Sequence, residues 1–298
     1  MSSPCVEGFE PITSGLYLEG LALDLERGTI WYSDVIAGGV HGIWPDGRRQ
    51  TLNPDRMWTG GVLMNADGGV LSSGAGGIMW NHPATGRSGW LLHEIDGQVI
   101  NGINEMMPDG TGGIFFGTND IEMVVRGGTP RPTALYRLTV GGEVIRLADG
   151  LNFTNGLMLS PDRRRFYCND TFVGTYAFDV GPDLTLSNKR LLIDKPDADG
   201  MALDAEGDLW ITGFRSSEIV RLHPDGAALP PVPTPGGAIT QIRFGGADMR
   251  DVYINTVPAD AGDMLKDGGA PTERKSVMFR GRSNVPGAPI APARFVLG

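Results

Sequence analysis

Read as hydrophobic and polar positions, the chain repeats one short phrase. Two or three apolar residues lead into an Asp or Gly turn, then a small residue, then an aromatic or aliphatic run. The phrase reads Leu-Ala-Leu-Asp-Leu-Glu-Arg-Gly-Thr-Ile-Trp-Tyr at 21–32 and Met-Ala-Leu-Asp-Ala-Glu-Gly-Asp-Leu-Trp-Ile-Thr at 201–212. Related copies lie at 62–71, 108–118, 157–167 and 242–254. Their turn residues Asp24, Asp67, Asp109, Asp162, Asp204 and Asp248 are spaced by 43, 42, 53, 42 and 44 residues. Each copy predicts strand, tight turn, strand, because Gly supplies positive φ and Asp bonds to its own turn. A second hairpin often follows, as at 40–44 before Pro45-Asp46-Gly47, at 135–138, and at 219–222 before Pro224-Asp225-Gly226. Four short antiparallel strands every forty-odd residues make a propeller blade, and six copies predict an all-β, six-bladed β-propeller. A β-sandwich with coincidental spacing is the weaker alternative. The sixth blade shows three strands, at 242–244, 252–255 and 276–279. Its fourth must come from one chain end, either 5–12 or 293–297, since an open ring leaves unpaired edges. The acidic stretch 260–275 reads as a loop, and no boundary divides residues 1–298, so one domain is expected.

Composition agrees with this pattern. The chain holds 45 Gly and 21 Pro in 298 residues, yet 41% of it is hydrophobic, with 11 Phe, 6 Trp and 6 Tyr. That combination means many turns around a real core, not disorder. A net charge of −10 makes a nucleic-acid partner a poor expectation. No apolar run is long enough to span a bilayer. Residues 1–10 lack a signal-peptide pattern. Cys5 and Cys168 show no metal or redox spacing, and a cytoplasmic protein is expected. His41, His82, His93 and His223 are scattered, without zinc spacing.

The repeat register also predicts a meeting point. Residues that precede equivalent innermost strands face one another across a propeller's axis. Five positions before the turn Asp stand Glu19, Asn104 and Asp199; in the fourth copy, two residues longer, the equivalent is Asn155. Two carboxylates cannot share a dry site charged and uncompensated. One hard divalent cation with oxygen ligands resolves the conflict, Ca2+ foremost, with Mg2+, Mn2+, Zn2+ and Fe2+ open. Ordinary turn capping by Asp and Asn is the competing account of each residue taken singly.

With Glu19-Gly20, Ile103-Asn104, Phe116-Gly117-Thr118, Thr154-Asn155-Gly156-Leu157, Asp199-Gly200-Met201 and Phe244-Gly245-Gly246 in this order, the chain resembles the senescence-marker-protein, gluconolactonase and luciferin-regenerating-enzyme family of six-bladed lactonases. The resemblance runs over roughly residues 16–257. It implies that Glu19, Asn155 and Asp199 hold one divalent metal and that Asn104 contacts substrate or a metal-bound water. It also implies that Asp199 acts as general base, directly or by orienting water, and that Glu122 contacts substrate. The implied activity is metal-dependent opening of a lactone. Sugar lactonases of the family often carry Arg two residues before the substrate Asn; here Gly102 stands there. The loops leading to the axis hold Met57, Trp58, Met106, Met107, Phe153 and Phe214, many of which could equally serve blade packing. Trp58, Met106 and Phe153 are the expected substrate contacts, and a small-molecule substrate less polar than an aldonolactone is expected. A phosphotriesterase-type hydrolase, a carbonyl isomerase or lyase, and a non-catalytic metal-stabilised binding propeller are the alternatives.

Overall fold

The structure, a computed structural model, describes residues 6–121, 123, 126, 128–129, 131–266 and 269–298. Six four-stranded antiparallel sheets surround one axis as a six-bladed β-propeller. The inner strands are Leu18–Asp24, Thr59–Met64, Gly102–Pro108, Thr154–Leu159, Ala198–Leu203 and Ala238–Gly245. They are almost wholly buried, and each packs on the next around the ring.

The repeated turn is an Asx turn in every blade. The carboxylates of Asp24, Asp67, Asp109, Asp162, Asp204 and Asp248 accept the backbone N–H two residues on, from Glu26, Gly69, Thr111, Arg164, Glu206 and Arg250. This local bond explains why Asp recurs at that phase. The predicted second hairpins are present, with third strands such as Val40–Ile43, Thr133–Leu138 and Ile219–Leu222.

The ring is closed by the N-terminal strand. Val6–Gly15 pairs with Ser276–Ser283 and becomes the outermost strand of the sixth blade. Of the two chain ends considered, it is therefore 6–15 and not 293–297 that completes the sheet; Cys5 lies outside the described residues. The C-terminal stretch does something else. It has prolines, which lack an N–H, at 286, 289 and 292, ahead of the proline-free candidate strand 293–297. It runs as a strap over the face carrying the Asx turns, with Ala288 N–H donating to Leu203 O (2.9 Å), Ala293 to Met64 O (2.9 Å) and Arg294 to Gly112 O (2.8 Å). Phe295 is clamped by Asn65 through bonds in both directions. The stretch 260–275, expected to be loop, contains a five-residue helix, Ala261–Leu265, which lies at the opposite face beside the cavity described below.

Candidate active site

In all six inner strands the pairing with the second strand slips once, at the same level. The slips fall at Glu19-Gly20, Gly60-Gly61, Asn104-Glu105, Asn155-Gly156, Asp199-Gly200 and Thr240. A bulge adds a residue on one strand and re-aims its side chain. The propeller thus turns six consecutive bulges toward one axis. The predicted set Glu19, Asn104, Asn155 and Asp199 occupies four of them, and all four side chains line one cavity.

Close approach of neighbouring blades explains the glycines beside them. A Cβ on Gly20 would stand 2.2 Å from Gly60 O, and one on Gly200 would stand 2.6 Å from Gln241 Oε1. Cross-blade bonds hold the bulges. Ser33 Oγ donates to Gly60 O (2.6 Å), Ser73 Oγ to Asn104 O (2.7 Å), Asn169 Nδ2 to Asp199 O (2.7 Å) and Asn255 Nδ2 to Glu19 O (2.9 Å). With their carbonyls anchored on the adjacent blade, Glu19, Asn104 and Asp199 sit on a rigid frame.

The frame holds strained charges. Glu19, Asn155 and Asp199 are buried. Burial pushes the Glu19 carboxyl up to about 8, aided by the charge of Glu105 and opposed by a hydrogen bond from Asn104. Burial also pushes Asp199 well above the usual carboxylate range, aided by Glu19, with a hydrogen bond from Asn155 opposing it. Asp199 Oδ1 is buried and has no hydrogen-bond partner, which is costly for a polar oxygen. Burial, then the Glu19 and Asp199 charges, raise Tyr17, whose ring lines the same cavity. Among the described residues no three His, Cys, Asp or Glu side chains cluster as a metal site, so the donor set here is mixed carboxylate and amide.

The cavity has a volume of about 860 Å3. Above its polar floor stand Tyr17, Val35, Trp58, Ile121, Phe153, Phe172, Phe214 and Leu265. Of the expected substrate contacts, Trp58 and Phe153 do line it. Met106 does not: the slip at Asn104-Glu105 turns its side chain into the core, where it is 1% exposed and packs with Ile103, Phe116 and their neighbours. Met107 is likewise core, and Met57 is exposed away from the cavity. Glu122 lies outside the described residues.

Sequence reasoning missed what lies under the floor. Glu105 Oε2 accepts from Arg243 Nη2 (3.0 Å) and from Gln241 Nε2 (2.5 Å), and Arg243 Nη1 donates to Gln241 Oε1 (2.6 Å) and Met201 O (3.0 Å). All three side chains are buried. Below them Ile290, Ala291 and Pro292 of the strap cover the axis over Leu21, Val62 and Arg243, leaving a void of about 30 Å3. One signal was legible. Four of the six slips carry Gly in second place; the third has Glu105 there, and Gln241 follows the one-residue slip at Thr240.

Residues 18–258 match the family model described as SMP-30/Gluconolactonase/LRE-like region. The chain belongs to this family. The SMP-30/gluconolactonase-like chain is 24% identical over 279 residues to a pentonolactonase from Haloferax volcanii, covering 88% of this chain and 89% of that protein. It is 28% identical over 270 residues to a 6-deoxy-6-sulfogluconolactonase from Pseudomonas putida, covering 87% and 88%. Regucalcin from Danio rerio is 29% identical over 221 residues, covering 70% and 71%. Among solved structures, a luciferin-regenerating enzyme superposes with a TM-score of 0.82 at 21% identity, covering 99% of this chain and 100% of that one. Family members thus include lactonases, and the shared fold is the propeller.

The family implies a divalent metal, and the residues present fit one. Two buried carboxylates repel each other, an Asp199 oxygen lacks any partner, and amide side chains stand beside both carboxylates. Hard oxygen donors of this kind suit Ca2+ or Mg2+, whose charge would remove both the repulsion and the orphaned acceptor.

Proposed function

We propose that the protein hydrolyses a lactone at this axial site, with one divalent cation held by Glu19, Asn155 and Asp199. The observation that carries the reading is the buried, unpartnered Oδ1 of Asp199, set beside Glu19 and the two amides at the floor of a cavity closed beneath. A cation bound there supplies Lewis-acid polarisation of the ester carbonyl and lowers the pKa of water.

The chain's own residues do the rest. Asn104, fixed through its carbonyl to Ser73, offers its amide to the substrate oxygen. The Asp199 carboxylate oxygen that the cation leaves free takes a proton from the attacking water and returns it to the ring oxygen as the acyl C–O bond breaks, so that one water is consumed and one hydroxy acid leaves. Thr171 steadies Asn155, whose Nδ2 lies 3.4 Å from its hydroxyl, while that hydroxyl donates to Ala198 O (2.8 Å). The apolar walls exclude bulk water, which strengthens every charge interaction at the floor.

The test is acid release from a panel of five- and six-membered lactones, measured with and without a chelator. Hydrolysis that chelation abolishes and Ca2+ or another divalent ion restores supports the reading. No turnover of any lactone with any divalent ion would overturn it.

A further inference from the structure

The floor of the cavity is polar, but its walls are built to hold a flat apolar face. Nine non-glycine residues among those described have positive φ, and two of them are aromatic, Trp58 (φ 57°) and Phe172 (φ 82°). Both line the cavity. Left-handed backbone is costly for a bulky side chain and persists only where the surroundings impose it. Both are imposed. Trp58 N–H donates to Val35 O (2.8 Å) and its carbonyl accepts from Ala75 (3.1 Å); Phe172 N–H donates to Pro196 O (2.8 Å). Phe172 is 52% exposed, so no buried contact of its own explains the strain, and its ring meets Phe153 edge-on at 6.4 Å. Phe214 and Tyr17 complete the aromatic wall.

Among the described residues, the polar side chains of this wall are largely committed: Arg215 and Lys266 both face Asp263, at 4.0 and 2.6 Å. Asp197 spends one oxygen on Lys195 (2.8 Å) and the other on the N–H groups of Arg215 (2.9 Å) and Ser216 (2.7 Å). The Ser216 hydroxyl accepts from Lys195 (2.9 Å), and the Thr171 hydroxyl donates to Ala198 O. A polyol placed here would lose water hydrogen bonds without replacing them, which costs affinity.

We infer that the substrate is a lactone fused to, or directly bearing, an aromatic ring, stacked between Trp58 and Phe172 with its ester toward Asn104 and Asp199. The inference rests on the lactonase reading and extends it to substrate class. Offset and edge-on aromatic contacts with a planar ligand are the interactions such a wall provides.

The experiment uses the full chain with Ca2+. Turnover is compared for 3,4-dihydrocoumarin, δ-valerolactone and glucono-1,5-lactone in the wild type, Trp58→Gly and Phe172→Gly. Glycine accepts positive φ, so these variants relieve backbone strain and melting curves report whether they stay folded. The wild type is expected to favour dihydrocoumarin by about tenfold or more in kcat/KM, and each variant to lower the dihydrocoumarin-to-valerolactone ratio by about tenfold. Calorimetric binding of the non-hydrolysable lactam 3,4-dihydro-2-quinolinone should weaken in parallel. A preference for gluconolactone, or a ratio and lactam affinity unchanged in both variants, would overturn the aromatic substrate and leave the lactonase reading intact. Lactam binding that the variants lose, with no lactone hydrolysed, would overturn the lactonase reading and keep the aromatic site.

Discussion

Arg243 lies under the site with its Nη2 3.0 Å from Glu105 Oε2, and the two side chains are 6% and 3% exposed. The pair spans the axis, from the third blade's inner strand to the sixth's, directly below the bulge that presents Asn104. Arg243 pairs the buried Glu105 carboxylate beneath the carboxyls of Glu19 and Asp199. Arg243→Met strands the Glu105 carboxylate and should destabilise the fold by about 3–5 kcal/mol. The double variant Glu105→Gln/Arg243→Met should recover part of that loss, because no buried charge is left alone. Urea unfolding of the three variants measures it; a double variant no more stable than Arg243→Met would show that the charge pair is not what matters.

Stability without bound cation should fall as pH rises. The Glu19 carboxyl is raised from an ordinary 4.5 to about 8. Between those values the folded state keeps a proton that the unfolded state has released, so alkali favours unfolding. In chelator the urea midpoint is expected to be lower at about pH 8.5 than at about pH 6, and Ca2+ to abolish the difference. The same competition makes cation affinity rise with pH across this window. A midpoint in chelator that does not change would mean Glu19 is already ionised at neutral pH.

Glu19→Gln and Asp199→Asn each remove one of the two carboxylates offered to the cation. Calorimetric titration with Ca2+ should show at least about tenfold weaker binding in both. Asp199→Asn should also lower kcat by about a hundredfold or more even at saturating cation, because an amide is too weak a base to accept the water's proton. Unaltered binding in both variants would remove these residues from the proposed ligand set.

Gly200→Ala tests the close approach of the blades. The added methyl would meet Gln241 Cα at 2.7 Å and Thr240 O at 2.7 Å, both parts of the neighbouring inner strand. A loss of about 1–3 kcal/mol is expected from overpacking, with the site disturbed as well. Gly200 φ is not in the left-handed region, so the loss would report contact rather than backbone strain. A variant as stable as wild type would show that the blades can separate there.

The repeated phrase was enough to place six blades, because Asx turns and hairpins depend on residues two to five apart. Register alone also located Glu19, Asn104, Asn155 and Asp199, since each occupies the same bulge in its blade. Contacts across the ring were not legible in this way. Glu105 and Arg243 stand 138 residues apart and meet only because the propeller brings its third and sixth inner strands to one axis. Met106 carried the same apolar signal as Trp58, yet the bulge two residues earlier sends it into the core.

Local chemistry along the chain therefore determined the blade, its turn and the phase of the axial residues. Closure of the ring was decided in three dimensions. Both chain ends carried strand-like patterns, but Val6–Gly15 pairs along Ser276–Ser283, while at the other end the N–H groups of Ala293, Arg294 and Phe295 go to Met64, Gly112 and Asn65 and tie it as a strap across the far face. The same closure sets two carboxylates and two amides at one point and walls them with aromatics from different blades. Those side chains are distant in sequence, so their meeting depends on how the blades pack, which no short stretch of sequence encodes.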